Sequence, residues 1–172
     1  IKGLKIGALE LLALFLSTSL IYGGGCILND VRDRKRDALE RPQRPIPSGR
    51  VSMPEALILS IIFFGLGLIA AYWAGKTCLF VASLLVLLAI SYDVLTKEMP
   101  VLGPLTMGAC RGTNLLLGMS LSLHGFGIAI VFPFISFTYV FALTTLSHFE
   151  VEGGLSGKGW IVSGCLLLVL SM

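Results

Sequence analysis

Asp30, Asp33 and Asp37 stand three and four residues apart. On a helix that spacing puts all three carboxylates on one face, within about 60° at 3.6 residues per turn. Asn29 lies one turn before Asp33 on the flank, and Arg32 and Arg36 point away. Like charges so arranged repel, and a divalent cation relieves the repulsion. Hard oxygen donors suit Mg²⁺, which keeps waters and shares its shell with substrate phosphates. Arg41, Arg44 and Arg50 follow in a stretch stiffened by Pro42, Pro45 and Pro47, and guanidinium forks suit phosphate oxygens. The chemistry within reach of such a set is the ionisation of a lipid diphosphate. A plainer reading stands beside it, in which the charges only fix topology and anchor a loop.

Three further places carry chemistry-bearing residues. Tyr92 and Lys97 end an apolar segment; a lysine there can neutralise a leaving diphosphate and a phenol can donate to it, or both can serve as an interfacial belt. Arg111 falls about ten residues into another apolar segment, roughly 15 Å deep, with Asn114 three residues on. Charge at that depth is costly unless it faces a cavity or a partner. Arg111 therefore either lines the polar head of a cavity, meeting phosphate or an aspartate, or forms a structural salt bridge to a neighbouring span. Glu150 and Glu152 precede Gly153-Gly154 and read either as a second metal site or as ordinary loop acids.

The rest of the chain must position these groups. Of its 172 residues 55% are hydrophobic and 13% charged, against about 25% charged in a soluble domain. Nearly half of the charge lies between Asn29 and Val51. Six apolar segments, roughly 6–29, 53–75, 77–92, 101–122, 126–148 and 159–172, predict an all-α, multi-span membrane bundle. Ser52 is the expected N-cap of the second, with Pro54 and Glu55 in its first turn. Basic residues crowd the stretch after Asn29, which puts the charged motif loops on the cytoplasmic side. Span counting then brings Asn29–Arg50, Tyr92–Glu98 and His148–Glu152 to one membrane face. The net charge of +3 is too clustered for a nucleic-acid surface. Cys26, Cys78, Cys110 and Cys165 stand alone as small buried residues, and His124 and His148 are isolated, so zinc has no support. The glycines, Gly23-Gly24-Gly25 among them, suit close helix packing. Ile1 and the apolar run Leu166–Leu170 read as a piece of a longer protein.

At Asn29–Ser52 the pattern N-D-x-x-D-x-x-x-D, followed by R-P-x-R-P-I-P-S-G, resembles the first aspartate-rich motif of the UbiA superfamily of intramembrane prenyltransferases. The remaining order is similar too: Tyr92 and Lys97, then Arg111-Gly-Thr-Asn114-Leu-Leu-Leu-Gly118, which with Ser147–Gly154 resembles the EboC-like branch. The resemblance covers the whole chain. It implies one UbiA-like domain over residues 1–172, incomplete at both ends, an internal fragment of about six spans from a family that usually has nine. It implies Mg²⁺-assisted loss of diphosphate from a polyprenyl diphosphate, and transfer of the prenyl group to an aromatic or other nucleophilic, lipophilic acceptor within membrane lipid. By position Asn29, Asp33 and Asp37 would hold Mg²⁺ with Asp30 beside them, Tyr92 and Lys97 would contact the diphosphate, and Arg44, Arg111 and Asn114 would bind substrate. The prenyl tail would dissolve in the bundle lining, for which Phe63, Phe64, Trp73, Phe80, Phe132, Phe134 and Phe137 are candidates, most of them equally suited to packing against lipid. One departure stands out: the family's second motif is another aspartate cluster, and here that region reads Ser-His-Phe-Glu150-Val-Glu152. Either the glutamates, Glu150 foremost, replace it or the second metal site is weak or lost.

The competing class is a non-catalytic membrane carrier or scaffold with the same fold. A carrier usually gathers its polar groups near the midplane on broken helices, whereas here most gather at one face. A CDP-alcohol phosphotransferase lacks support, because its D-G-x-x-A-R pattern is absent.

Overall fold

The computed structural model describes residues 7–122 and 127–151. Among them the chain is all helix: α1 (Ala8–Glu40), α2 (Met53–Ala74), α3 (Lys76–Ser91) running into a π turn (Tyr92–Thr96), α4 (Leu102–Met119) and α5 (Val131–Val151). The sixth apolar segment, 159–172, lies outside the described residues. Four helical stretches are long and apolar enough to cross a membrane: α1, α2, Lys76–Thr96 and Ile128–Ser147. Although read as a span from its sequence, α4 is not among them, since it carries Arg111 and Asn114.

The first apolar segment does not end at Asn29. The helix α1 continues to Glu40, 33 residues in all, ~50 Å long at 1.5 Å per residue. That exceeds the ~30 Å of a bilayer's hydrocarbon. The acidic motif therefore sits on a rigid helical extension rather than in a loop. Asp30–Glu40 contains no glycine or proline, and Arg36 Nε pairs with Glu40 Oε1 one turn on at 2.8 Å. Pro42 stops the helix, because a residue before proline disfavours the α conformation; Arg41 turns away at φ −143°.

The connection to α2 is folded on itself. Ser48 N bonds Arg44 O at 2.9 Å and Val51 N bonds Pro45 O at 3.1 Å. Arg50 Nη2 donates to Gln43 O at 2.6 Å, and Gly49 takes φ +75°, where a side chain is disfavoured. Ser52 caps α2 as expected: its hydroxyl accepts from Glu55 N, and Glu55 Oε2 accepts from Ser52 N at 2.8 Å. At the far end Gly75, φ +148°, joins α2 to α3 in one residue.

Small residues set the helix pairs. Ser60 Oγ donates to Gly24 O at 2.8 Å across the α1–α2 seam. A Cβ on Gly24 would come within 3.0 Å of the Phe64 ring, and one on Gly67 within 2.7 Å of Ile21 Cγ1. Residues 17, 21 and 24 thus oppose 67, 64 and 60, an antiparallel pair at close range. Leu85, Val86, Cys78 and Ala82 of α3 complete the core with Leu117 of α4. Along α4 the backbone oxygens of Phe137 and Pro133 lie 2.8 and 3.1 Å from where Gly108 and Gly112 would carry a Cβ. That antiparallel register returns the C-terminal end of α5 toward the start of α4.

Most of the aromatic residues expected around a prenyl tail point elsewhere. Trp73, Phe80, Phe132 and Phe134 are 65–76% exposed, on the outer surface of the bundle. Phe63 and Phe64 pack on Gly23 and Gly24, and Phe137 on Gly108. Large apolar side chains are as favourable against lipid as inside a membrane bundle, so their type alone does not reveal which face they take.

Candidate active site

The extension of α1 and the end of α3 meet through charge. Lys97 Nζ lies 2.6 Å from Asp33 Oδ1, Asp33 Oδ2 and Asn29 Oδ1. Asn29 Nδ2 donates to Asp33 Oδ2 at 3.3 Å. Three hard oxygens from one helix face converge on one ammonium. The π turn makes this possible. Tyr92 and Lys97 are five residues apart, about 140° out of register on an α-helix. In the π turn Lys97 N bonds Tyr92 O at 2.9 Å, the i→i+5 pattern that stacks such a pair and recurs at functional sites. Beyond it the chain doubles back tightly, and Gly103 sits against the Thr96 and Lys97 carbonyls.

The other two aspartates share a different cation. Arg44 Nη1 lies 2.7 Å from Asp37 Oδ2 and 3.1 Å from Asp30 Oδ1. The Asp37 hydrogen bond, helped by nearby carboxylate charge, raises the pKa of the Arg44 guanidinium. Asp37 is buried, at 5% exposure. The predicted common face is therefore divided into an Asn29/Asp33/Lys97 group and an Asp30/Asp37/Arg44 group. Arg32 makes a looser contact with Glu98 at 3.7 Å. Glu150 closes α5, and its side chain lies outside the description.

Beside these groups a cavity of about 330 Å³ opens between α1, α3 and α4. Ile21, Leu85, Ala89 and Met107 give it apolar walls, and Asn29, Asp30, Tyr92, Asp93, Arg111 and Asn114 give it polar points. Arg111 forms no structural salt bridge among the described residues; its guanidinium carbon sits 5.5 Å from the centre of the Tyr22 ring, within cation–π range. Cys26 and Cys110 also line the cavity. Cys26 is exposed and Cys110 half-buried, which corrects the expectation of buried thiols for these two; Cys78 meets it, and Cys165 lies outside the described residues.

Asp93 is the site residue that sequence reasoning passed over. It is 4% exposed, lines the cavity, and its Oδ1 is buried without a hydrogen-bond partner among the described residues. The available signal was an acid at i−4 from Lys97, directly after Tyr92.

A divalent cation fits these donors in a particular way. Among the described residues no three carboxylate, histidine or cysteine side chains are grouped to hold a metal by themselves. The oxygens of Asn29 and Asp33 do converge on a single cationic point, now the Lys97 ammonium. That is the donor set of an ion completed by water and substrate phosphate.

Residues 3–154 match the UbiA prenyltransferase family. The chain belongs to that family. Among curated UbiA-type relatives, the digeranylgeranylglyceryl phosphate synthase of Methanosarcina mazei is 41% identical over 113 residues, 66% of this chain and 38% of that protein. The synthase of the same name from Metallosphaera sedula is 35% identical over 149 residues, 87% of this chain and 51% of that protein. The first three relatives are covered over 37–39% of their length, so the chain spans about two fifths of them. A solved structure of digeranylgeranylglyceryl phosphate synthase in membranes superposes with a TM-score of 0.78 at 22% identity, over 96% of this chain and 64% of that one; it supports the UbiA fold. The chain is an integral membrane protein of this family.

Proposed function

We propose that the chain is part of an intramembrane prenyltransferase, a single UbiA-like domain running through residues 1–172, that moves a prenyl group from a polyprenyl diphosphate to a glycerophosphate-type alcohol. The observation that carries it is the convergence of Asn29, Asp33 and Lys97 beside an apolar-walled cavity. The relatives' name describes a glyceryl phosphate bearing two geranylgeranyl groups, which favours such an acceptor over an aromatic one. The seven Arg and Lys residues between Arg32 and Arg50 favour a cytoplasmic position for the charged end.

In this reading Asn29 and Asp33, with Asp37 and Asp30 behind them, would hold Mg²⁺. Bound there, the ion would supply Lewis-acid stabilisation of charge growing on the diphosphate. Lys97 and Arg44 turn from their carboxylates to the diphosphate oxygens, and the Tyr92 hydroxyl donates to the same group. The π turn and the self-bonded loop 41–51 hold both cations in place before substrate arrives. The apolar walls keep water from the electron-poor prenyl carbon.

The scaffold reading draws on one observation: every acid of the motif already has a protein partner. Binding of a geranylgeranyl diphosphate analogue to the full-length protein in lipid nanodiscs separates the two. It is run with and without Mg²⁺, on wild type and Asp33→Ala. Mg²⁺-dependent binding that disappears in the variant is the expected result. Binding indifferent to both Mg²⁺ and Asp33 would leave a scaffold.

A further inference from the structure

We infer that the cavity between α1, α3 and α4 is the acceptor subsite, shaped for an alcohol that carries a phosphate: Asp93 receives the hydroxyl, and Arg111 with Asn114 receives the phosphate. The inference rests on the prenyl-transfer reading above and adds to it the place and chemistry of the second substrate.

Two unfinished groups face the same cavity. Asp93 is buried to 4% exposure, with Oδ1 lacking a donor among the described residues. A buried carboxylate oxygen without a donor carries a full desolvation cost, which a ligand hydroxyl would remove. Arg111 has no carboxylate within ion-pair distance among the described residues. Its contact is the Tyr22 ring face, which leaves the N–H edges of the guanidinium for an anion. Those edges match two phosphate oxygens, and the Asn114 amide lies one turn on along α4.

The spacing suits two anionic heads. Tyr22 and Asn29 both line the cavity and are seven residues apart on α1, ~10.5 Å along the axis. That leaves room for a three-carbon alcohol between a phosphate at Arg111 and a diphosphate at the Asn29 end. Keeping the two anions at opposite ends, each on its own cation, limits their mutual repulsion. Asp93, directly after Tyr92, stands on the α3 side of the same space.

The step balances. The acceptor oxygen forms a bond to C1 of the prenyl chain, and the C1–O bond to the diphosphate breaks. The electron pair leaves with the diphosphate, and the hydroxyl proton passes to the Asp93 carboxylate. The product is an ether.

The test measures acceptor binding without donor, then turnover, using the full-length protein in nanodiscs. The probes are geranylgeranylglyceryl phosphate, its phosphate-free alcohol and glycerol 1-phosphate. Arg111→Gln is expected to weaken the prenylated phosphate by about tenfold or more, as loss of a charge-assisted hydrogen bond implies. The phosphate-free alcohol should be indifferent to the change, binding of a geranylgeranyl diphosphate analogue should hold, and Arg111→Lys should recover part of the loss. Asp93→Asn should keep acceptor binding and lower kcat by about 10²–10⁴. Competition by glycerol 1-phosphate would mark a water-borne acceptor, and competition only by the prenylated form a lipid-borne one; either result supports the subsite. Equal affinity for the phosphate-free alcohol would overturn it, as would a loss confined to donor binding or unchanged kcat in Asp93→Asn. Failure of wild type to bind the diphosphate analogue would instead strike the transfer reading, since acceptor binding is read separately.

Discussion

Gly24 and Gly25 are neighbours on one helix and do opposite things. Gly24 sits in the α1–α2 seam with Phe64 and the Ser60 carbonyl so close that a methyl group would push them back, whereas a methyl on Gly25, which borders the cavity, would meet nothing within 4 Å among the described residues. The same residue type closes one side of α1 and leaves the other open. In a bilayer, where apolar contact between helices has no hydrophobic drive, close approach depends on small residues and backbone contact. The seam shows that approach completed. The cavity shows it withheld, with polar groups collected in the space that remains.

Breaking the polar side should give the largest effect. Asp33→Ala removes the carboxylate that anchors Lys97, and turnover of a prenyl diphosphate should fall by about 10²–10³ or more, the scale for losing one preorganised electrostatic group. Product formation in nanodiscs reads it directly, and a residual rate above a tenth of wild type would contradict the assignment. Breaking the packed side comes next. Gly67→Val drives methyl groups into Ile21 and the Ser17 carbonyl, and overpacking of that kind costs about 1–3 kcal/mol. Thermal unfolding in detergent should register the loss, while the affinity of the surviving folded protein for a diphosphate analogue stays near wild type.

Gly25→Ala sharpens the contrast. Its stability should hold or rise by up to about 1 kcal/mol, because alanine is the better helix residue, while acceptor binding weakens as a methyl enters the cavity. A drop in unfolding temperature like that of Gly67→Val would erase the distinction between the two faces. Least affected should be Arg32→Gln. Its partner Glu98 is exposed and 3.7 Å away, so stability should change by less than about 0.5 kcal/mol, checked in the same melting assay.

Much of this organisation was legible in the residues. The segregation of charge located the motif, and the cost of charge at depth singled out Arg111. Serine, proline and glutamate at 52–55 marked the start of α2. Other features were not legible, each for a physical reason. The end of α1 was hidden because the apolar pattern stops at Asn29, although the carboxylate spacing stayed helical past it and Pro42 was the real stop. The π turn escaped a 3.6-residue template, so the i→i+5 bond that brings Lys97 back over Tyr92 was invisible. Asp93 was passed over because its burial arises only when α1 and α4 close around α3. The Tyr22 partner of Arg111 belongs to another helix, and no local spacing announces such a contact. For the aromatic residues type was simply uninformative, and the structure sends most of them outward or into the seams.

The unbroken course of α1 also bears on how this gene can change. Between Gly24 and Asn29 the chain has no loop to absorb an insertion or a deletion. One added codon there would turn every motif carboxylate by about 100° and lift them one step away from Lys97, while the seam contacts of residues 17, 21 and 24 stay in register. Substitutions in that stretch act locally, but a change in its length would dephase the whole acidic face at once.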